Sequence, residues 1–397
     1  MQPRRGRAGT DRRGLRRGHG GRGRDERYGR RGRRGRRGSL RDLDARSGDR
    51  VRRDAGRGRG VRVLHRDRRG RQGGRLQDPR ARWSRLYRDR GRTSLRRAAR
   101  DRGERGRRHA PYAISTLAPA IAFDATPDAG AAYVYFTAID AGGRAGVFRT
   151  RARGGAGSTE IAAGPPFVAP LGIAASADGG RLFVADPGAG GAALDDAGAL
   201  FAIDLPGGAV APVRGGEGMR ARGLEVARGA DGEERIVFSG RDREGGQPGV
   251  FALPARGGEA SALAAGSPLV DPSGVAVAGG GAVFVCDTLA SPDRTATIFR
   301  IEDGFVSAFA TGLHVGYPCG LALTRDDAAL LVLARDVARG ADEVVRIEVA
   351  SGARSATVTG APGHDEPGGL HRAKGADVFA FVDHRAQEQG SVFLLGP

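Results

Sequence analysis

The stretch "PSGVAVAGGGAVFVCD", residues 272–287, places a Pro-x-Gly before two short apolar runs that a glycine turn separates. The same arrangement returns at intervals of 51, 51, 46 and 49 residues, at Gly172, Gly223, Gly274, Gly320 and Gly369. The stretch "PAIAFD" adds a sixth unit 52 residues earlier, with Ala120 in the place of the glycine. A repeat of about 40–50 residues is typical of propellers built from similar blades.

Each unit continues with further apolar runs, which in the unit of Gly274 read "TIFRI" and "VSAFATG". Four short strands per unit make one propeller blade, and its first two strands are apolar on both sides because they pack against neighbouring blades. The last unit stops after three runs, whereas "YAISTL" at residues 112–117 precedes the first unit alone. Pairing of these two segments would close the ring. The sequence therefore predicts an all-β, six-bladed β-propeller over residues 111–397.

Residues 1–110 differ sharply in composition. They contain 42 arginines and 12 acidic residues, a net charge of +30, whereas residues 111–397 contain 23 basic and 33 acidic residues, a net charge of −10. The segment also has few large apolar side chains and no Phe. Burying so few apolar groups cannot offset the entropy lost when the chain is ordered, and we therefore predict a disordered Arg/Gly-rich segment. Three interpretations stay open: an RNA-binding tail, a solvated linker, or GC-rich DNA translated in the wrong frame or from a wrong start. A nucleic-acid partner is predicted only if this segment is genuine.

Localisation and redox state are weakly determined. No apolar signal core follows the first arginines, and no run of about 18 apolar residues predicts a transmembrane segment. The chain as written is predicted to be soluble in an unknown compartment, and export stays open if the true N-terminus differs. The repeat places Cys286 and Cys319 near one face of adjacent blades, where a disulfide and two buried thiols are both compatible with the sequence.

The pattern Pro-x-Gly-apolar-Ala-apolar, followed by apolar-Phe-Val-x-Asp, resembles the NHL-repeat and SMP-30/gluconolactonase-like propellers, six-bladed like the TolB propeller, over residues 112–397. The resemblance implies the fold but not the activity, because such propellers include lactonases, other hydrolases, lyases and binding modules. Lactonase-like members are expected to hold a divalent metal with Glu, two Asn and Asp. This chain has no Asn, "PCGL" places Cys319 where one ligand would stand, and Glu217 in "GEG" precedes the third blade rather than the first.

Blade topology predicts which loops share a face. Loops that enter first strands and loops that join second and third strands lie together, because the first and second strands of a blade are antiparallel. In the last two blades this face gathers the predicted ligand-binding residues His314, Tyr317, Asp336, His364, Asp365, Glu366, Asp383 and His384. Imidazole beside carboxylate favours a divalent metal or an acid-base pair, and solvated loop residues are the alternative. Asp186 and Asp287, which end second strands, are predicted to accept hydrogen bonds that fix the loops.

The leading functional hypothesis is a scaffold that binds a small molecule or a protein at this face. A metal-dependent, lactonase-like hydrolase is the first alternative, and nucleic-acid binding through the Arg-rich segment is the second. No glycine-rich segment has the form of a phosphate-binding loop, and no Gly-x-Ser-x-Gly elbow precedes a helical segment, so the sequence contains no recognisable catalytic motif.

Overall fold

The computed structural model describes residues 112–116, 121–154, 157–190, 198–229, 231–359, 367–384 and 391–396. These residues form 24 strands, arranged as six antiparallel sheets of four strands each. The predicted all-β, six-bladed propeller is therefore confirmed. The predicted disordered segment, residues 1–110, lies outside the described residues. The described part of the chain contains no helix that is long and apolar enough to cross a membrane.

Each blade except the last is a run of consecutive strands. The strands in chain order are β1 (Tyr112–Thr116); blade 1, β2 (Ile121–Pro127), β3 (Tyr133–Ile139), β4 (Ala145–Arg151), β5 (Thr159–Ala163); blade 2, β6 (Gly172–Ala175), β7 (Arg181–Asp186), β8 (Ala199–Asp204), β9 (Ala209–Pro212); blade 3, β10 (Leu224–Arg228), β11 (Glu234–Arg241), β12 (Pro248–Pro254), β13 (Ser261–Ala265). They continue as blade 4, β14 (Pro272–Val277), β15 (Val283–Asp287), β16 (Ala296–Glu302), β17 (Phe305–Leu313); blade 5, β18 (Leu321–Leu323), β19 (Ala329–Asp336), β20 (Ala341–Glu348), β21 (Arg354–Thr359); blade 6, β22 (Pro367–Arg372), β23 (Phe379–Asp383), β24 (Ser391–Leu395).

The two ends of the chain meet in blade 6. Strand β1 pairs antiparallel with β24, so that the sheet order is β1-β24-β23-β22. The segment "YAISTL" thus supplies the missing fourth strand, as the sequence predicted. Because β1 leads directly to β2 of blade 1, this pairing closes the ring and leaves no unpaired edge at the junction.

The core lies between adjacent blades. Second strands are buried on both faces, and in five blades they contribute the fully buried rings of Phe136, Phe183, Phe238, Phe284 and Phe381. The ring of Phe183 in blade 2, for example, belongs to one apolar cluster with Leu224 and Phe238 of blade 3. This two-sided burial explains why the second apolar run of each unit has no polar alternation.

The repeat glycines lie where neighbouring inner strands touch. A side-chain carbon at Gly223 would collide with the Ser273 carbonyl oxygen, and one at Gly274 would collide with the Cys319 carbonyl oxygen. The close approach of backbones around the channel requires glycine at these places. In blade 1, the pairing of β2 with β3 shows that a different residue takes this position from the one that the sequence predicted.

Asp124, and not Ala120, takes the position of the glycine. Asp124 pairs with Thr137 of the second strand, as Gly172 pairs with Ala185 in blade 2. The motif "PAIAFD" matches the start of the repeat, but the turn after β2 begins only at Asp128, whose amide binds the Tyr133 carbonyl oxygen as the amide of Ser176 binds that of Arg181 in blade 2. Ala120 lies outside the described residues.

A disulfide joins blades 4 and 5. Cys286 in β15 and Cys319, just before β18, have Cα atoms 6.3 Å apart and form a disulfide bond. Both residues are buried in the apolar cluster between the two blades. Of the two alternatives that the sequence left open, the structure contains the disulfide.

Candidate functional site

We call the surface formed by the segments before the first strands and the β-hairpin loops after the second strands the loop face. In blade 2 the buried carboxylate of Asp186, at the end of β7, organises it. This carboxylate accepts hydrogen bonds from the amides of Val168 and Ala169 in the preceding loop, at 2.7 and 3.0 Å, and from the amide of Gly188 at 2.9 Å. Burial raises the pKa of Asp186 even though the backbone donors act to lower it. One carboxylate therefore fixes two loops.

Asp287 repeats this arrangement in blade 4. Its carboxylate accepts hydrogen bonds from the amides of Val270 at 2.7 Å, Asp271 at 3.0 Å and Leu289 at 3.0 Å. Asp287 is fully buried. The prediction that Asp186 and Asp287 fix loops is confirmed.

Three of the predicted ligand-binding residues lie in blade 5. His314 is exposed, and its carbonyl oxygen accepts a hydrogen bond from the amide of Arg335 at 2.7 Å. The carboxylate of Asp336 closes its own turn: it accepts hydrogen bonds from the amides of Ala338 and Arg339 at 3.0 and 3.1 Å and pairs with the Arg339 guanidinium at 2.9 Å. The Arg339 amide lowers the pKa of Asp336.

The third, Tyr317, is half-buried beneath a neighbouring cation. The guanidinium carbon of Arg222, from the loop before β10, lies 5.7 Å from the centroid of the Tyr317 ring. The same guanidinium forms an ion pair with Asp271. Arg222, Asp271 and Tyr317 thus link blades 3, 4 and 5 where their inner strands begin.

Two further predicted residues lie at the end of β23, where Asp383 is the last residue of the strand and His384 follows it. Asp383 is fully buried and pairs in register with Ser391 of β24. The ring of His384 lies edge-on to the Phe123 ring, with 5.7 Å between the centroids, so it covers the bulge of β2. The remaining three residues, His364, Asp365 and Glu366, lie outside the described residues. Among the residues that are described, no three His, Cys, Asp or Glu side chains are grouped as metal ligands. The eight-residue site remains a prediction.

The sequence interpretation missed a set of buried and half-buried charged groups inside the channel. We call Asp124, Glu225, His371 and Lys374 the channel cluster. Nε2 of His371 lies 2.9 Å from Oδ2 of Asp124, and its Nδ1 lies 3.3 Å from Oε2 of Glu225. Lys374, the single lysine of the sequence, pairs with Glu225 and donates a hydrogen bond to the Val226 carbonyl oxygen at 2.8 Å.

Glu225 and His371 occupy the same position of their inner strands, and Asp124 lies at the position of the repeat glycine. Two residues after the repeat glycine, blades 2 to 6 carry Ala174, Glu225, Ala276, Ala322 and His371. Blades 3 and 6 face each other across a six-membered ring, so the contact between Glu225 and His371 spans the channel. The signal was present in the sequence, because "GLEV" and "GLHR" replace the alanine found in "GIAA", "GVAV" and "GLAL".

Electrostatics hold the channel cluster together. Burial acts to lower the pKa of His371, but the carboxylates of Asp124 and Glu225 raise it to about 10. Burial likewise acts to raise the pKa of Glu225, but Lys374 and His371 lower it to about 2. At neutral pH the His371 imidazolium therefore lies between two carboxylates, and this buried charge is paired on both sides.

Each carboxylate oxygen of Asp124 and Glu225 has at least one polar partner. Oδ1 of Asp124 accepts a hydrogen bond from the amide of Ala125 at 2.8 Å, and Oδ2 accepts one from the amide of Ile173 at 3.0 Å besides the contact to His371. Oε1 of Glu225 accepts hydrogen bonds from the amide of Val226 at 3.1 Å and from Lys374. This arrangement joins blades and fixes side chains.

Comparisons with known proteins address the fold. No protein-family model matches the chain, and neither does any curated protein sequence. A gluconolactonase structure, XC5397 from Xanthomonas campestris, is 17% identical, with 72% of this chain and 89% of that chain covered and a TM-score of 0.50. The chain has the six-bladed propeller fold.

Two further solved structures also resemble this propeller. A nidogen/laminin complex gives 17% identity, 61% and 80% coverage and a TM-score of 0.46. A putative TolB from Agrobacterium tumefaciens gives 16% identity, 60% and 80% coverage and a TM-score of 0.44. These identities are low, and folds of this kind host unrelated activities, so function must be argued from this propeller's own residues.

Proposed function

We propose that the propeller is a binding scaffold that engages a separate protein partner through its loop face. The supporting observation is the distribution of exposed large apolar side chains. Four of the five among the described residues lie on the loop face: Val168 (57% exposed), Val270 (46%), Leu289 (57%) and Val337 (60%). The fifth, Phe305, lies in the β16–β17 hairpin on the opposite face. Contiguous exposed apolar patches mark interaction surfaces, and Val270 and Leu289 lie on adjoining loops that one carboxylate, Asp287, binds.

These apolar side chains are carried by loops that buried carboxylates hold in place. Asp186 binds the amide of Val168, and Asp287 binds the amides of Val270 and Leu289. A loop that is already ordered loses less conformational entropy when a partner docks. Blades 2 and 4 share this arrangement, which favours binding by a preformed surface.

The charges of the loop face favour a protein over a polyanion. Cations and anions alternate there as ion pairs: Arg222 with Asp271, Arg243 with Glu217, Arg339 with Asp336, and Arg144 with Asp140. Nucleic acids bind surfaces on which basic groups dominate, because phosphate neutralisation supplies most of the affinity. Apolar side chains among paired charges are typical of surfaces that bind proteins.

The test compares the two faces of the full-length protein. A partner is first isolated by affinity capture and then purified, and its affinity is measured by calorimetry. We expect Val270→Ser/Leu289→Ser to weaken binding at least tenfold, because each buried aliphatic side chain contributes about 1–2 kcal/mol. The matched control is Phe305→Ser, which removes an exposed apolar side chain from the opposite face and should leave the affinity unchanged.

Two outcomes would contradict the proposal. If both variants bind as tightly as the wild type, the loop face is not the binding surface. If sedimentation shows that Val270→Ser/Leu289→Ser dissociates a homo-oligomer, the occupant of the loop face is a second copy of this chain and not a separate partner.

A further inference from the structure

The channel cluster lies where the other blades have no charge. Asp124 occupies the position of the repeat glycine, and Glu225 and His371 occupy the position of the repeat alanine. Asp124 is 2% exposed and His371 is 5% exposed. Desolvated ionic groups are costly unless each is paired, so their presence together in one channel calls for a role.

The position of the cluster relative to the chain ends indicates that role. Blade 6 and blade 1 are linked through the chain only by β1, which belongs to the sheet of blade 6 by its pairing with β24. If β1 separated from β24, no peptide connection would join blade 6 to blade 1. The contact between His371 and Asp124 lies at this junction and does not involve β1.

We propose that the channel cluster is an internal latch, which holds blade 6 to blades 1 and 3 independently of β1 and occludes the channel at its own level. His371 is the centre of the latch, since one imidazole nitrogen contacts Asp124 of blade 1 and the other contacts Glu225 of blade 3. Lys374, in the turn after β22, adds a second link to blade 3 through Glu225 and the Val226 carbonyl oxygen.

Packing beside the latch supports a joint at this place. The ring of His384, after β23, lies against Phe123 of β2 and adds an apolar contact between blades 6 and 1. The carboxylate of Asp124 also lies against Gly369, which has no side chain that would displace it. Asp124, Gly369 and His371 therefore fit one another within the inner strands of two blades.

The first experiment measures native-state hydrogen exchange of the full-length protein. We expect Asp124→Asn to speed exchange at least tenfold in β2, β22 and β24, and to leave the amides of β14 and β15 in blade 4 unchanged. The matched control is Arg346→Ala/Glu348→Ala, which removes a half-buried ion pair inside blade 5 and should alter exchange in neither region. Unchanged exchange in β2 and β22, or equal acceleration in all six blades, would overturn the proposal.

The second experiment tests independence from β1. Deleting residues 1–118 removes β1, and Asp124→Asn weakens the latch; each change alone should leave a cooperatively folded protein by thermal unfolding. Their combination should lower the melting temperature by more than the sum of the two separate decreases, since two closures of one ring support each other. Simple additivity would show that the channel cluster does not act in ring closure.

Discussion

Nε2 of His371 lies 2.9 Å from Oδ2 of Asp124, although the two residues are 247 positions apart in the chain. The contact joins the last blade to the first at the level of the glycine ring. Asp124 is accommodated because its neighbour in blade 6 is Gly369, whose missing side chain leaves room for the carboxylate. A pair of charged residues thus exploits the close backbone approach that the repeat creates.

The pH dependence of stability should reflect the channel cluster. The pKa of His371 is raised to about 10, so its contribution is complete below about 6.5 and is lost as pH rises toward 10. The pKa of Glu225 is lowered to about 2, so its contribution is complete above about 4.5 and is lost as pH falls toward 2. Urea unfolding should therefore show a plateau of stability from about pH 4.5 to 6.5.

The variant His371→Gln isolates the alkaline part of this dependence. The difference in unfolding free energy between wild type and variant should be on the order of a few kcal/mol at pH 6 and should shrink between pH 7 and 10. Asp124 and Glu225 are the ionisable groups that contact the imidazole, Lys374 pairs with Glu225, and all three remain in the variant. A difference that is constant from pH 6 to 10 would show that His371 is not held as an imidazolium.

The disulfide should stabilise the junction of blades 4 and 5. Cys286 and Cys319 are 33 residues apart, and closing a loop of this length in the unfolded chain corresponds to about 3–4 kcal/mol of stabilisation. We expect Cys286→Ala/Cys319→Ala to lower the unfolding free energy by about this amount, measured in urea. Thiol titration of the unfolded, unreduced wild type provides the control: two free thiols would contradict the bond.

The repeat made the fold predictable, whereas the channel cluster was not predicted. The glycine spacing and the apolar second strands follow directly from close backbone approach and two-sided burial, so the six blades could be predicted from the sequence. Asp124 was misaligned because "PAIAFD" matches the start of the repeat, whereas the turn that sets the pairing of β2 with β3 begins only at Asp128. The partnership of Glu225 with His371 depends on which blades face each other, a property of the closed ring and not of any one unit.

The loop face was predicted in outline from strand direction alone. Sequence reasoning placed the loop containing Asp336 there, but it did not show that its carboxylate is engaged by the amides of its own turn. The exposed aliphatic residues Val270 and Leu289 were also missed, because a single apolar residue in a loop carries no periodic signal. Their exposure is visible only once the burial of every neighbouring residue is known.

The carboxylate of Asp287 should control both the stability and the shape of the loop face. Asp287→Ala removes the acceptor for three backbone amides, and we expect a loss of about 2–4 kcal/mol in unfolding free energy together with weaker partner binding. Asp287→Asn retains one acceptor oxygen and should lose less. The control is Asp303→Asn, an exposed residue of the opposite face. Equal stability of Asp287→Ala and wild type would contradict the assigned role.

Removal of N-terminal residues should separate the propeller from the segment before it. We predict that residues 111–397 fold alone, so deletion of residues 1–110 should leave the thermal midpoint nearly unchanged. Deletion of residues 1–118 also removes β1, exposes the edge of β24 and should lower the midpoint. Calorimetry of both truncated proteins makes the comparison, and unfolding of the longer protein would place the domain boundary elsewhere.

Metal analysis tests the lactonase-like alternative at blades 5 and 6. The sequence predicts a site formed by His314, His364 and His384 with Asp336, Asp365 and Glu366. A histidine binds a metal only as neutral imidazole, so affinity for zinc should fall as pH drops through about 6.5.

The double variant His364→Ala/His384→Ala should abolish zinc binding, measured by calorimetry with the metal alone, while circular dichroism remains unchanged. The control is His314→Ala, which removes one predicted ligand from blade 5 and should weaken binding without abolishing it. Stoichiometric zinc that survives the double substitution would place the metal elsewhere in the chain. Protein that binds no zinc at either pH 6 or pH 8 would contradict the predicted zinc site, and the loop face would then be explained by its apolar side chains and paired charges alone.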